Sequence, residues 1–269
     1  RNSGFFFDEL VAGSFLLAFA FLSIFLFQNS KNDQKYVLLF LIFCFIICIF
    51  TGERSNTIKF LIIFLLTFIF CINKQNIKFK KNILIYFVSI IIISSLIYLN
   101  FDNLKTRYTH KISFSENQNI NYAGKYITSA YGSHFLAAYL IFKDNYFLGA
   151  GNKNFRFECE KYEDKISEIH QSFDTSKDFF HKGCSTHPHQ IYYELLSEHG
   201  LIGFCFFIYF LFLPIYKKIR SSKLNQYNLV SLFYILCIFI PILPSGSFFS
   251  TFSSSLFWIN YLFLLTSKK

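Results

Sequence analysis

Ser185-Thr186-His187-Pro188-His189-Gln190-Ile191-Tyr192-Tyr193-Glu194-Leu195-Leu196-Ser197-Glu198-His199-Gly200-Leu201-Ile202-Gly203 opens as a polar, histidine-bearing helix start and runs directly into a long apolar segment. Pro188 suits a first helical turn, because the N–H it lacks has no intrahelical partner there, and Thr186 or His187 is placed to cap it. His189 then falls in that first turn. The positive end of the helix dipole disfavours imidazolium and keeps the ring able to accept a proton. The same free backbone N–H groups favour an anion such as phosphate. The plainer alternative is a surface histidine beside a cap.

The rest of the chain supplies the setting. Of 269 residues, 53% are hydrophobic, with 40 Phe and 17 Tyr, and only 16% are charged. A soluble domain does not carry so much apolar surface with so little charge, so the expected class is an all-α, polytopic transmembrane bundle. Seven apolar segments stand out, at 9–27, 36–51, 58–72, 82–99, 200–216, 228–244 and 248–265. Each is close to the roughly 17–25 residues a spanning helix needs, the second and third being short. The chain has no Met and opens on Arg1, which reads as the C-terminal part of a longer protein. Asp8 and Glu9, not a basic stretch, precede the first apolar run, so it does not read as a signal peptide.

Loop charge sets the orientation. Lys31 and Lys35, then Lys74, Lys78, Lys80 and Lys81, then Lys217, Lys218, Arg220 and Lys223, and finally Lys268 and Lys269 occupy alternate loops, against the single acid Asp33. The opposite short loops hold Arg1, Arg54 and nearby Lys59. Positive-inside reasoning therefore places Arg1 outside and the C-terminus in the cytoplasm. These cytoplasmic loops account for essentially the whole net charge of +10, so no nucleic-acid partner is needed to explain it. The chain divides into spans over 1–99, a large outer loop over 100–189, and three further spans over 190–269 entered by an outer-face helix. The loop carries 11 basic and 10 acidic residues and is too long to be a mere connection. Within it Tyr131 to Asn145 reads as a helix with Phe135, Ala138, Tyr139 and Phe142 on one side.

Cys44, Cys48, Cys71, Cys205 and Cys237 fall in apolar spans and read as small packing residues. Cys159 and Cys184 are the two in the outer loop. In an oxidising compartment they form a disulfide candidate worth about 3 kcal/mol on the chain-entropy argument. A metal site is the rival use, without CxxC-like spacing to support it.

Several residues carry candidate chemistry besides His189. His187 is a weaker candidate for orientation or acceptor contact. A zinc site from His187, His189 and His199 is rejected, because His189 and His199 lie about 15 Å apart along a helix and no HExxH pattern is present. Arg54 lies 19 residues after Lys35 and 20 before Lys74. That is about 28–30 Å of helix either way, which puts it at the outer hydrocarbon boundary. A guanidinium there binds phosphate oxygens bidentately or, more plainly, snorkels to headgroups or pairs with Glu53. Arg1 has the same two readings. Gly149-Ala150-Gly151 completes no phosphate-loop pattern and reads as a tight turn, with Lys153 and Arg156 adding positive potential. Glu194 and Glu198 share a helix face and read as solvent-facing charges, or as a hydrolase pair, with Glu198 a candidate to orient a basic partner.

Together these blocks resemble the O-antigen ligase/polymerase superfamily of bacterial membrane glycosyltransferases. Arg1-x-Ser3-Gly4-x-Phe6 with Asp8-Glu9-Leu10-x-Ala12-Gly13-Ser14 resembles the family's first arginine block, and Thr51-Gly52-Glu53-Arg54-Ser55 its second. Phe142 to Phe155 resembles the D-x-P-x-x-G-x-G loop, with Tyr146 where proline is usual. Ser185 to Gly203 resembles the HPHN-x-Y-L histidine block, with Gln190 in place of Asn. The likeness covers nearly the whole chain.

The resemblance implies transfer of a glycan from undecaprenyl diphosphate to a hydroxyl of a glycan, lipid A core or other acceptor, without metal or cofactor, at the periplasmic face of the inner membrane. His189 would be the base or positioning group. Arg54 and Arg1 would hold the diphosphate, with His187, Arg156 and Glu198 in support. Direct in-line attack implies inversion at the anomeric carbon. Family members have about a dozen spans, so about five would lie upstream of Arg1, consistent with an outer Arg1. Polymerase and ligase share these motifs. Capsule or exopolysaccharide polymerisation is the branch that the histidine block and cysteine-containing loop resemble most. The rival class, a non-enzymatic transporter or flippase, would place charges at mid-membrane, whereas these spans read as almost free of charge.

Overall fold

The computed structural model describes residues 12–20, 33–67, 126–173, 183–221, 224–241 and 243–266, with single positions at 69, 88, 92, 95 and 100. All regular structure among the described residues is helical. Most of the fourth apolar segment and of the first, and the lysines of the third loop, lie outside the described residues, as does Arg1.

Two compact units divide the chain: 1–113 with 218–238 and 255–269, and 114–217 with 239–254. In the first unit α3 (Arg54–Thr67) packs against α1 (Ala12–Phe19), α2 (Asp33–Phe50) and α8 (Gln226–Ile238), and most of α9 (Thr251–Thr266) is tied in by side-chain amides, Asn260 donating to the Ala18 carbonyl at 3.3 Å and Asn228 to the Leu264 carbonyl at 2.8 Å. Leu41, Cys44, Phe45 and Cys48 recur at helical spacing and are buried, as are Phe60, Ile63 and Phe64 on α3. Leu39, Phe40, Phe43 and Ile58 are equally apolar yet exposed. A helix apolar on both its packed and its open face fits a lipid surrounding. Polar side chains inside this unit satisfy helix ends. Asn225 and Asn228 exchange amide bonds at the start of α8, at 2.9 and 3.2 Å, a reciprocal cap. The Lys218 ammonium donates to the Leu265 carbonyl at 3.2 Å, near the end of α9.

Lys59 departs from expectation. Grouped above with the outer-loop cations, it instead lies five residues into α3 and is 1% exposed.

In the second unit α4 (Ala130–Asp144) is capped by Ser129, whose hydroxyl accepts from Gly132 N–H. Its buried face packs Ala137, Ala138, Leu140 and Ile141 against Phe155 of α5 (Phe155–Glu158), Cys159 and Tyr162 of a 3-10 turn, and Ile166 of α6 (Glu163–Phe173). The expected helix is present, but Tyr139 is 52% exposed and does not share the buried face of Phe135 and Ala138. The packing neighbours α5 and α6 cover one stripe of α4, which Tyr139 lies outside. Cys159 and Cys184 form a disulfide, Cα–Cα 5.3 Å, tying the 3-10 turn to the histidine stretch. Cys44, Cys48 and Cys237 are buried, whereas Cys205 is exposed rather than packed.

Helix α7 (Ile191–Ser221) is, among the described residues, the one long and apolar enough to cross a membrane; Leu39–Phe50 and Asn228–Ile238 are apolar but shorter. It is broken at Gly200, where φ is 63° and ψ −172°.

Candidate functional site

The helix start differs from the sequence reading. The first turn begins at Ile191, and the cap is Gln190, whose side-chain oxygen accepts from the N–H groups of Tyr192 at 2.8 Å and Tyr193 at 3.1 Å. Its amide nitrogen donates to the Pro241 carbonyl at 3.1 Å. Neither Thr186 nor His187 caps α7, and Pro188 and His189 precede it. An amide is what this position needs, so Gln in place of Asn preserves the function of the residue at the helix start.

His189 therefore sits outside the helix, in left-handed backbone with φ 58°. A non-glycine residue there is strained, and such strain persists only where the surroundings hold it. Here the His189 carbonyl accepts from Ser245 N–H at 2.8 Å, and buried Pro188 and Gln190 flank it. The consequence is the placement of the ring. It lies with centroids 4.1 Å from His187, 5.2 Å from His134 and 5.6 Å from Tyr131, the last edge-on.

His134 was not singled out by the sequence. It lies on α4, more than fifty residues earlier, in a helix whose apolar pattern drew the attention. Its Nδ1 lies 2.9 Å from the Gly183 carbonyl, which can only accept, so Nδ1 carries the proton and Nε2 is the acceptor of the neutral ring. His187 has its Nδ1 3.0 Å from the Thr186 hydroxyl. Burial pushes the His187 ring below its ordinary value of 6.5; the Ser245 backbone opposes this and the nearby His134 adds to it. The stretch thus presents three imidazoles and a phenol side by side. No group of three or more His, Cys, Asp or Glu among the described residues is arranged to hold a metal ion.

Glu194 and Glu198 are not solvent-facing, being 1% and 2% exposed. Glu194 accepts from the Ser247 hydroxyl and from Phe248 N–H at 2.8 Å, fixing the segment that carries Ser245. Glu198 accepts from Lys153 N–H at 2.8 Å and Phe155 N–H at 3.4 Å, so its partner is the backbone of the glycine turn and the start of α5. Arg156 is exposed, with its guanidinium 4.8 Å from the Phe157 ring centroid. It and Lys153 bring positive charge toward Glu198.

The glycine turn closes the gap in α7. At Gly200 the carbonyls of Ser197 and Glu198 lose their helical donors and accept instead from Ala150 and Gly151 N–H, both at 2.9 Å. Leu201 and Ile202 N–H donate to the Tyr146 and Phe147 carbonyls at 2.8 and 3.2 Å. Side chains would prevent this. A Cβ on Gly149 would lie 2.3 Å from Glu198 backbone, and one on Gly200 2.4 Å from Phe147 backbone. The two glycines meet in tight backbone packing.

In the first unit, Arg54 opens α3. Glu53 does not pair with it: its carboxylate accepts from Gly13 N–H at 2.9 Å and from the Asn56 amide at 2.5 Å. Asn56 also donates to the Ser14 hydroxyl at 3.0 Å. The two arginine-bearing blocks are joined through these bonds, with an acid at the first turn of α1. No hydrogen bond or ion pair among the described residues engages the Arg54 guanidinium.

Compared with known proteins, residues 38–208, well over half of the chain, match the profile of a family described as O-antigen ligase. No curated protein and no solved structure matches the chain.

Proposed function

The chain belongs to the O-antigen ligase family, and we propose that it is a membrane glycosyltransferase that moves a glycan from undecaprenyl diphosphate to an acceptor hydroxyl on the outer face of the membrane. The observation that carries this reading is the strained His189 backbone, which holds an imidazole among His134, His187 and Tyr131 beside the start of α7. In the proposed step His189 accepts the proton of the acceptor hydroxyl as its oxygen bonds to the anomeric carbon. The bond from that carbon to the diphosphate oxygen breaks, and undecaprenyl diphosphate leaves with the electron pair. One displacement inverts the anomeric centre. Arg54 and Arg1 supply charge for the leaving diphosphate, in keeping with guanidinium–phosphate chemistry. The step invokes no metal and no cofactor.

His134 and His187 serve as positioning residues. Each ring has Nδ1 occupied, His134 against a carbonyl and His187 beside a hydroxyl, and they flank His189. Glu194 and Glu198 act through structure, holding the Ser245 segment and the glycine turn against α7.

The test is transfer against translocation. Membranes bearing the full chain are given labelled undecaprenyl-diphosphate glycan and an acceptor. The proposal expects label in a longer glycan or on the acceptor, and the product identifies the polymerase or ligase branch. Label that changes sides of the membrane while still lipid-linked would instead indicate a transporter, the class to which a buried span cation such as Lys59 would belong.

A further inference from the structure

Leu148 and Phe147, at 76% and 65%, are the two most exposed large apolar side chains among the described residues, and they adjoin Tyr146 at 44%. Three apolar residues in a row on an outer turn are costly in water, so their position along α7 matters. The bonds from Leu201 and Ile202 fix it: the turn lies level with the first turn after the Gly200 break. From that level α7 shows an open apolar stripe at four-residue spacing, Ile202, Phe206 and Phe210, at 44%, 59% and 64%. The exposed turn continues that stripe.

Lipid-exposed irregular backbone does not enter the hydrocarbon region itself, so an exposed turn of this kind seats at its boundary, where paired backbone groups lower the cost. Five of this turn's backbone groups are paired. The Tyr146 and Phe147 carbonyls accept from α7, Gly149 N–H donates to the Asn145 carbonyl at 2.8 Å, and Ala150 and Gly151 N–H donate to the α7 carbonyls. Exposed Lys143 and Lys153 flank the apolar stretch, with stems long enough to carry their charges to headgroups.

We infer that residues 146–148 form a lipid-contacting turn, seated in the outer leaflet at the boundary of headgroups and acyl chains. The inference rests on the reading that α7 crosses the membrane with His189 outside. It assigns the turn a task beyond packing. Because its backbone is bonded to both sides of the Gly200 break, its seating sets the height of the preceding helical arm. Gln190 lies ten residues before Gly200, about 15 Å along the axis, so the histidine cluster is held at a fixed reach above the lipid boundary.

Tryptophan scanning tests this in a Trp258→Phe background, with each emission read as the difference from that parent. Leu148→Trp is compared with Phe206→Trp on the open stripe and Lys161→Trp on the outer loop, in phosphatidylethanolamine/phosphatidylglycerol vesicles with brominated acyl chains. Leu148→Trp is expected to be blue-shifted, quenched by the brominated lipid as Phe206→Trp is, and shielded from aqueous acrylamide. Phe147→Trp serves as the second probe should Leu148→Trp not reach the membrane in normal amounts. Behaviour like Lys161→Trp, or shielding from both quenchers, overturns the inference while Phe206→Trp remains lipid-quenched. If Phe206→Trp itself escapes the lipid quencher, the spanning reading of α7 fails and the inference falls with it.

Discussion

His189 combines left-handed backbone with the role proposed for it as a base. Asparagine tolerates left-handed backbone well. His189→Asn should therefore melt within about 0.5 kcal/mol of the wild type while losing transfer by a factor of 10² or more, roughly the value of a general base. Differential scanning fluorimetry beside a transfer assay checks both halves. His134→Asn keeps a donor for the Gly183 carbonyl but removes the ring beside His189, and should lower the rate on the order of tenfold with KM little changed. His187 adds a pH prediction. Its folded-state affinity for protons is depressed by burial, so the unfolded chain binds more protons as pH falls below about 6.5. Stability contributed by the neutral ring is full above that value and drains away toward its lower folded value, and His187→Asn should flatten the acid side of a melting-temperature profile. His189 stands out in the sequence by its polar, proline-flanked place before an apolar run, and the structure places its ring among two other imidazoles and Tyr131. His134 was not, since contact across more than fifty residues leaves no local pattern.

At the scale of elements, the cap of α7 and its break decide the geometry. Gln190→Ala should cost about 1–2 kcal/mol by freeing two N–H groups, whereas Gln190→Asn should be close to neutral. Gly200→Ala places a Cβ in left-handed backbone and against Phe147, at 2.4 Å, and should greatly reduce the yield of folded protein, as should Gly149→Ala. Detergent-solubilised yield by size-exclusion chromatography reads this. The sequence indicated a turn at the two glycines but not its partner. Proline suggested an earlier helix start, yet a side-chain amide two residues later won the N–H groups. Glu194 and Glu198 looked exposed because four-residue spacing reports a shared face, not what covers it. The break at Gly200 is what brings backbone donors to Glu198.

At the scale of the molecule, composition gave the helical class and the family match agrees with the motifs. One described helix is of spanning length, and the topology built on seven apolar segments remains a proposal resting on loop charge. The disulfide belongs to this scale too, since it ties α5's neighbouring turn to the histidine stretch. Cys184→Ser should lower the stability of the second unit by about 3 kcal/mol, and reductant should do the same to the wild type alone. Limited proteolysis from the outer face of right-side-out vesicles reads that difference and the placement of the loop together. The most direct test of the central claim is release of undecaprenyl diphosphate by purified full chain in proteoliposomes, comparing wild type, His189→Ala and His189→Gln with a saturating acceptor. The account predicts acceptor-dependent release by wild type, and loss in both variants of 10² or more, because neither side chain can take the hydroxyl proton. Release undiminished in His189→Gln would contradict it, since a group unable to act as base would then suffice.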